Sequence, residues 1–589
     1  MSLRANEMTK QKKRNIKRNN LLQISLGVVI IVLINIIASF VFTRIDLTAE
    51  KRYSLSPAVK TMLKGLQDDV FFRVYLDGEL PSGFRRLSNE TRDMLNEFRA
   101  YSDHIHFEFI DPSASPLARE RNDTYRLLVE QGLQPTDLRV TNKGESSQLI
   151  IFPGAIVVYR GRELPVQILM TQLGQDPQKV LNNSIQALEY NLGNAVDKLI
   201  NTTKPRVAIL EGHGELSRGQ TIDLEGALSE YYNVERIAIN SKINSLTVRL
   251  QTDSSGSPLV NTFKALIIAG PERSFNEKDK FLIDQFIMRG GRILWMIDPV
   301  FAKMDSLQQY ASTMGLANDI NLDDMLFNYG VRLNKNLVMD MSALPIPVKT
   351  GQIGDQPQFD FFPWYYFPLI TPSSNHPVVN GLNAIKTEFI SSLDTVEASG
   401  VRKTVLLTSS RYSRIVNAPV LIDLEILRHE PDQRMYSSGP QPVALLLEGE
   451  FTSAYLFRLP PEIEQNEDLG FRKKSRPTRM VVIADGDIAK NQYHITQKYP
   501  LPLGYDQYTG QTFGNKELLM NIMNYLCDDS GLISIRSREL KLRLLDMTRL
   551  TSERPLWQTL NVVVPILLIV GFGLVKYQVR RRKYAKRSG

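Results

Sequence analysis

Polar residues that could do chemistry follow predicted strands in the middle and late parts of the chain. Glu211 and His213 come directly after the apolar run 206–210, Asp298 follows 292–297, and Asp485 follows 479–484. Ligands of open parallel sheets bind beyond the carboxyl ends of the strands, so these four side chains predict a possible crevice for a metal or for acid–base chemistry. The alternative is turn chemistry alone, because Asp and Gly commonly end such strands.

Sequence motifs give little support for catalysis. Gly212-His-Gly214 does not continue as a G-x-G-x-x-G fingerprint, and the chain has no P-loop, no H-E-x-x-H and no G-x-S-x-G. Cys527 is the only cysteine and lies in a predicted helix, which excludes an internal disulfide and a C-x-x-C redox pair. We therefore predict no enzymatic activity, no cofactor and no metal.

One aromatic segment could bind a partner. Six aromatic residues occur within residues 361–368, namely Phe361, Phe362, Trp364, Tyr365, Tyr366 and Phe367. If they are exposed they form a docking patch for a protein or a membrane. If they are buried they form the spine of a β layer, which is the commoner fate of large aromatic residues.

Two uncharged stretches have the length of transmembrane helices, and we assign them to residues 21–43 and 555–575. About 20 apolar residues are needed to cross the roughly 30 Å hydrocarbon core of a bilayer. The first stretch is longer than the apolar part of a signal peptide and lacks a cleavage site before the next charges. We predict an uncleaved anchor at each end.

The basic residues at the two ends predict the orientation. Residues 1–20 hold seven basic residues and one acid, and residues 576–589 hold seven and none, so a chain of formal charge +8 has a mildly acidic middle. Positive flanks stay cytoplasmic, which predicts a two-pass protein of the bacterial inner membrane with cytoplasmic tails and a large periplasmic region. Contact with anionic lipid explains the tails more simply than nucleic-acid binding does.

The region between the two spans is predicted to be α/β. Residues 44–200 suggest a thioredoxin-like domain without the thiols, and 205–350 suggest a larger sheet of parallel, nearly continuous apolar strands. Residues 337–339 and 479–484 are candidate later strands of that sheet. The remaining assignments are a β-rich extension at 351–476, a return to the sheet domain at 477–530 and a basic juxtamembrane helix at 531–554.

Several motifs in order resemble the GldG family of gliding-motility ABC-transporter auxiliary proteins of Bacteroidetes-type bacteria. The resemblance spans nearly the whole chain and is carried by Lys51-Arg-Tyr-Ser-Leu-Ser-Pro57, Ile209-Leu-Glu-Gly-His-Gly-Glu215, Trp295-Met-Ile-Asp-Pro299, Ser374-Asn-His-Pro-Val-Val-Asn-Gly-Leu382 and Ala484-Asp-Gly-Asp487. It implies an amidotransferase-like outer domain without catalytic residues. It also implies an ABC permease and its cytosolic ATPase as partners, together with envelope or gliding-machinery proteins.

Three functions are compatible with these observations. The first is a non-catalytic auxiliary subunit of an ABC transporter that serves gliding motility, which we favour. The second is a membrane-anchored periplasmic ligand sensor or hydrolase that uses the strand-end residues Glu211, His213, Asp298 and Asp485. The third is a purely mechanical linker in the cell envelope.

Overall fold

The computed structural model describes residues 22–23, 25–33, 55–142, 145–170, 177–200, 204–249, 259–353, 356–466, 469–529, 531 and 547–585. The chain is a mixed α/β protein, as predicted. It divides into two units, Tyr53–Arg538 and a second unit that consists of Met1–Arg52 with Glu539–Gly589.

The large unit begins with a small four-stranded sheet. Ser56 caps the first helix by accepting a hydrogen bond from the Val59 amide, and Pro57 occupies its first turn. The sheet order is β2-β1-β5-β6, with β1 and β2 parallel and the other pairs antiparallel. The elements are α1 Pro57–Lys64, β1 Val70–Val74, α2 Ser82–Tyr101, β2 Ile105–Phe109, α3 Ala118–Glu130, β3 Thr136–Asn142, β4 Glu145–Ile151, β5 Gly154–Tyr159, β6 Arg162–Gln167, α4 Pro177–Gln186 and α5 Leu188–Ile200.

Alternating strands and helices continue after residue 204. Four of these strands, β7, β8, β11 and β12, lie side by side and parallel in one sheet. In chain order the elements are β7 Arg206–Glu211, α6 Ile222–Ser229, β8 Asn233–Ala238, β9 Thr247–Arg249, β10 Leu259–Asn261, β11 Ala265–Ala269, α7 Glu277–Met288, β12 Arg292–Met296, β13 Val300–Phe301, α8 Met304–Tyr310, β14 Ser312–Ala317, α9 Asp323–Tyr329, β15 Val331–Leu333 and β16 Asn336–Asp340.

The third stretch of the large unit is mainly β and then returns to the large sheet. Three short 3₁₀ helices, Leu424–Arg428, Gln433–Met435 and Asp487–Ala489, interrupt it. Its other elements are β17 Ala343–Ile353, β18 Gln356–Ile370, β19 Ile385–Lys386, β20 Leu393–Thr395, β21 Val401–Thr408, β22 Ser413–Asn417, β23 Val420–Asp423, β24 Pro442–Gly449, α10 Pro461–Glu464, β25 Thr478–Ile483, β26 Tyr505–Asp506, β27 Gln511–Thr512 and α11 Asn515–Cys527.

The large sheet has seven strands in the order β21-β24-β25-β12-β11-β7-β8. The strands from β25 to β8 are parallel, whereas β24 and β21 add an antiparallel edge. β21 and β24 come from the segment predicted as a β-rich extension of the parallel-sheet domain, so part of that segment completes the main sheet. The candidate strand at 337–339 lies in β16 and pairs with β22 outside the large sheet.

The two sheets of the large unit share a hydrophobic core. One cluster of buried side chains includes Val59 and Phe72 from the first sheet region together with Val207 and Leu294 from the large sheet. Leu518 and Leu519 of α11 belong to the same cluster. Residues from the predicted segments 44–200, 205–350, 351–476 and 477–530 all contribute side chains to this cluster.

The helix that contains the predicted C-terminal span is longer than that span. Helix α12 spans Met547–Ala585, and its segment Glu553–Arg582 is long and apolar enough to cross a bilayer. It is the single helix among the described residues that meets this requirement. Residues 22–23 and 25–33 of the predicted first span are helical, while the rest of 21–43 and most of the predicted juxtamembrane helix fall outside the described residues.

Candidate functional site

Two of the four predicted crevice residues meet at the carboxyl edge of the large sheet. Asp298 lies two residues after β12 and Asp485 two residues after β25, and these strands pair in parallel with Met296 opposite Ile483. The Asp298 Oδ1 atom accepts a hydrogen bond from the Gly486 amide at 2.6 Å. The loops after the two strands are thus tied directly to each other.

Backbone amides also hold the Asp485 carboxylate. This side chain is fully buried, and its two oxygens accept hydrogen bonds from the amides of Asp487 at 2.9 Å and Glu388 at 3.0 Å. Burial raises the pKa of Asp485 well above its ordinary value, and the negative charges of Asp298 and Asp487 act in the same direction. We call Asp298, Asp485, Asp487 and Glu388 the strand-end carboxylates.

The ionisation of Asp298 falls near neutral pH. Burial, with the nearby charge of Asp487, raises the pKa of Asp298 to about 7. The packing around it is tight, because a Cβ atom on Gly486 would collide with the Asp298 carboxylate and lie 2.7 Å from the Gly270 Cα. Position 486 therefore requires glycine for a close approach between strand-end loops.

His213 follows β7 at the same edge but bonds to a different pair of carboxylates. Its Nδ1 lies 3.2 Å from Glu215 and its Nε2 lies 3.1 Å from Asp279, while the ring stacks on Phe275 at 3.8 Å. Burial alone would lower the pKa of His213, but the two carboxylates outweigh it and raise that pKa. Because both ring nitrogens are occupied, the imidazole is not free to act as a base on a ligand.

Glu211 belongs to a further ion-pair network. It pairs with Arg236 of the neighbouring strand β8, which also pairs with Glu225 of α6. The structure therefore brings Asp298 and Asp485 together and gives Glu211 and His213 separate partners. Among the described residues no group of three or more His, Cys, Asp or Glu side chains is arranged to hold a metal ion.

The predicted aromatic patch is divided between the core and the surface. Trp364, Tyr365, Tyr366 and Phe367 of β18 are buried in a cluster beside the large sheet. Phe361 is 53% exposed in the outer half of the hairpin formed by β17 and β18, and Phe362 is half-buried. Most of the segment is thus the spine of a β layer, and its exposed end is much smaller than the predicted patch.

A basic cavity that was not predicted from the sequence lies at the opposite, amino edge of the large sheet. Arg206 and Arg292 are the first residues of β7 and β12, and Lys264 immediately precedes β11. A cavity of about 560 Å³ opens beside them, with Lys204 and Arg289 also in its lining. The available signal was the basic residue at the start of each of three strands, because the starts of neighbouring parallel strands lie side by side.

The fold and this arrangement describe an α/β protein with a C-terminal helix that is long and apolar enough to cross a membrane. The family model described as "ABC-type uncharacterized transport system" matches residues 204–522, more than half of the chain. The chain belongs to this family of ABC transport auxiliary domains. A second family model, a domain of unknown function, matches residues 49–158.

Two further comparisons are more distant. An uncharacterized protein of Borreliella burgdorferi is 21% identical over 579 residues, covering 96% of this chain and 99% of that protein. Among solved structures, the mmIFT52 N-terminal domain is 12% identical and has a TM-score of 0.30, covering 55% of this chain and 97% of that chain. The membership in the ABC transport family is thus the informative result.

Proposed function

We propose that this protein is a non-catalytic auxiliary subunit of an ABC transporter in the bacterial inner membrane, with its large unit on the periplasmic side. The observation that carries the proposal is the family match over 204–522, which covers the large sheet, in a chain that continues into a membrane-spanning helix. An ABC permease and its cytosolic ATPase are the proposed partners. The ATPase would supply the energy, because this sequence has no nucleotide-binding motif.

The periplasmic orientation follows from the charges that flank α12. Lys576 and the run Arg580–Lys583 lie at its C-terminal end and continue into a basic tail. Positive flanks remain cytoplasmic, so the chain before the helix would lie on the other face. The basic tail at residues 1–20 supports a second span at 21–43 with the same orientation.

The non-catalytic role is supported by the way the candidate groups are used. His213 bonds to two carboxylates of its own chain, and Asp485 binds the amides of two loops. These bonds stabilise the strand-end loops. A general base must lie within reach of a substrate proton, whereas the Asp485 side chain is fully buried and both ring nitrogens of the buried His213 are occupied.

Affinity purification of the tagged full-length protein from membranes tests the proposed partnership. We expect a polytopic permease and an ATPase to co-purify in a mild detergent. The matched control is a chain that lacks both 1–43 and 547–589, which should not sediment with the membranes or recover the permease. Recovery of the full-length protein alone, with no transporter subunit at any detergent concentration, would contradict the proposal.

Cysteine labelling tests the orientation, because the native Cys527 is buried. Ser437→Cys places a thiol at an exposed position in the large unit, and Ser588→Cys places one in the basic tail without removing a charge. A membrane-impermeant maleimide should label Ser437→Cys in spheroplasts and Ser588→Cys only after lysis. The reverse pattern would place the large unit in the cytoplasm.

We include gliding motility in the proposal because the sequence resembles the GldG family. If the complex serves gliding, deletion of this gene in a gliding host should abolish colony spreading. Expression of the full chain should restore it. Normal spreading of the deletion strain would separate the transporter role from motility.

A further inference from the structure

The basic cavity is built by three neighbouring strands. The Lys264 amide donates to the Arg206 carbonyl at 2.8 Å, and the Arg292 amide lies 3.4 Å from the Lys264 carbonyl. The three residues therefore stand in a row across β7, β11 and β12. Such a row places like charges side by side, which costs stability unless negative charge offsets it.

The chain supplies too little negative charge to this site. Glu235 pairs with Arg206, and Asp529 bridges Lys264 at 2.7 Å and Arg292 at 2.5 Å. Two carboxylates thus pair with three of the five lining cations, so the five positive charges exceed the paired negative charges by three.

The two remaining cations have no ion-pair partner among the described residues. The Lys204 ammonium donates to the Ser229 carbonyl at 2.7 Å, and Arg289 donates only to backbone carbonyls, including that of Leu469 at 2.7 Å. Burial, with the positive charge of Arg472 nearby, lowers the pKa of Arg289 to about 10. The negative charge of Asp284 acts in the opposite direction but does not outweigh burial.

The cavity also holds a buried donor that is not satisfied. Within the described part of the chain, the Nη1 atom of Arg292 has no hydrogen-bond partner although it is buried. Buried donors are nearly always paired in folded proteins, and an unpaired guanidinium N–H is costly. An acceptor from outside the chain would satisfy it.

We propose that the cavity binds a phosphate-type oxyanion, either as a free phosphate or as the phosphodiester headgroup of an anionic lipid. Phosphate carries about 1.5 to 2 negative charges at pH 7 and offers several acceptor oxygens. Guanidinium groups bind such oxygens in a paired geometry, and Arg206, Arg289 and Arg292 line the cavity. The volume of about 560 Å³ lies within the range of small-ligand sites.

Asp529 acts as an internal competitor in this site. Burial opposes its ionisation, but the hydrogen bonds from Lys264 and Arg292 outweigh that and keep the pKa of Asp529 below its ordinary value. Its carboxylate therefore occupies the two cations that an incoming phosphate would need. Removing the Asp529 charge should tighten anion binding, an effect that a purely structural ion pair would not produce.

The test uses the purified full-length protein in a non-ionic detergent and isothermal titration with inorganic phosphate. We expect Arg292→Gln and Lys264→Gln each to weaken binding about tenfold, since each removes a charge-assisted hydrogen bond. Asp529→Asn should strengthen binding. Arg434→Gln is the matched control, because Arg434 is 91% exposed, pairs with Asp432 and should leave binding unchanged. Thermal melting of every variant confirms that it is folded.

Two arms distinguish the sources of the phosphate group. Phosphate binding that is equal in detergent and in nanodiscs of phosphatidylcholine or phosphatidylglycerol supports a soluble phosphate. The lipid headgroup is supported if phosphate binding is lost in phosphatidylglycerol discs and if glycerophosphoglycerol competes with phosphate in detergent. The site is refuted if neither phosphate nor glycerophosphoglycerol binds, if folded Arg292→Gln binds as the wild type does, or if Asp529→Asn does not bind more tightly.

This inference does not depend on the transporter role. Anion binding is measured on the isolated protein, whereas the proposed function is tested by co-purification. Failure of one experiment therefore leaves the other interpretable.

Discussion

Replacing Asp298 by asparagine should stabilise the protein at alkaline pH and reduce the dependence of its stability on pH. Burial and the charge of Asp487 raise the pKa of Asp298 to about 7, compared with about 3.9 for an ordinary aspartate. Asparagine resembles the neutral acid in shape and keeps the oxygen that accepts the 2.6 Å hydrogen bond from Gly486. It removes the charge that is costly to bury.

The sign and size of the effect follow from proton linkage. Between about pH 4 and pH 7 the folded state holds a proton that the unfolded state has lost, so the stability from this group is complete below pH 4 and is lost as pH rises to 7. Each pKa unit corresponds to about 1.4 kcal/mol, which bounds the effect near 4 kcal/mol. Asp485 and Asp487 titrate together with Asp298, and Asp298 is only half-buried. We therefore expect Asp298→Asn to raise the free energy of unfolding by about 1–2 kcal/mol at pH 8.

Thermal unfolding followed by tryptophan fluorescence measures this effect. Trp295 is fully buried in β12, three residues before Asp298, and reports on this sheet. The melting temperature of Asp298→Asn should exceed that of the wild type at pH 8, and the difference should shrink at pH 5. Asp360→Asn, at an exposed carboxyl of β18, is the control. Equal melting temperatures at pH 8, or an unchanged pH slope, would refute the assignment of a buried charge at Asp298.

Three other predictions concern buried and exposed groups of the large unit. Tyr329→Phe removes a buried 2.7 Å hydrogen bond to the Asp284 carboxylate and should destabilise the fold by about 1.5–3 kcal/mol in urea titrations; no change would show that the bond is not formed in solution. Trp364→Ala should cost about 3–5 kcal/mol because Trp364 is fully buried, whereas Phe361→Ala should change stability by less than about 0.5 kcal/mol. Burial raises the pKa of Cys527 to about 11, so its thiol should react with maleimide at pH 7 only after unfolding, and rapid labelling of the native protein would contradict that burial.

The parallel part of the large sheet could be predicted because each of its strands is recognisable from a few consecutive residues. β7, β11 and β12 are short apolar runs separated by helices, and this alternation requires a sheet covered on both faces. The antiparallel edge could not be predicted in the same way. β24 and β25 pair across a gap in sequence that contains α10, and nothing in the local pattern of β24 distinguishes the edge of the main sheet from a separate β layer.

The order of strands also explains why the four residues of the predicted crevice do not form one cluster. The sequence correctly puts polar residues after the strands, but which of them meet depends on the neighbour of each strand. β25 lies beside β12, so Asp485 meets Asp298, whereas β11 separates β12 from β7. Glu211 at the end of β7 therefore meets Arg236 on its other neighbour, β8.

The two edges of the sheet differ most clearly in how well their polar groups are satisfied. At the carboxyl edge, backbone amides of Gly486, Asp487 and Glu388 bind the acidic side chains, and these bonds fix the loops. At the amino edge, Arg292 keeps a buried N–H with no partner in the described chain, and Lys204 and Arg289 have no ion-pair partner among the described residues. The hydrogen bonds of the acidic side chains at the carboxyl edge explain those residues as structural. Arg292 lines an open cavity and has an unsatisfied donor, and a bound ligand would offset the cost of leaving that donor unpaired. The rule that ligands bind at the carboxyl edge of parallel sheets therefore points to the less suitable edge here, because the side chains there are already bonded within the chain.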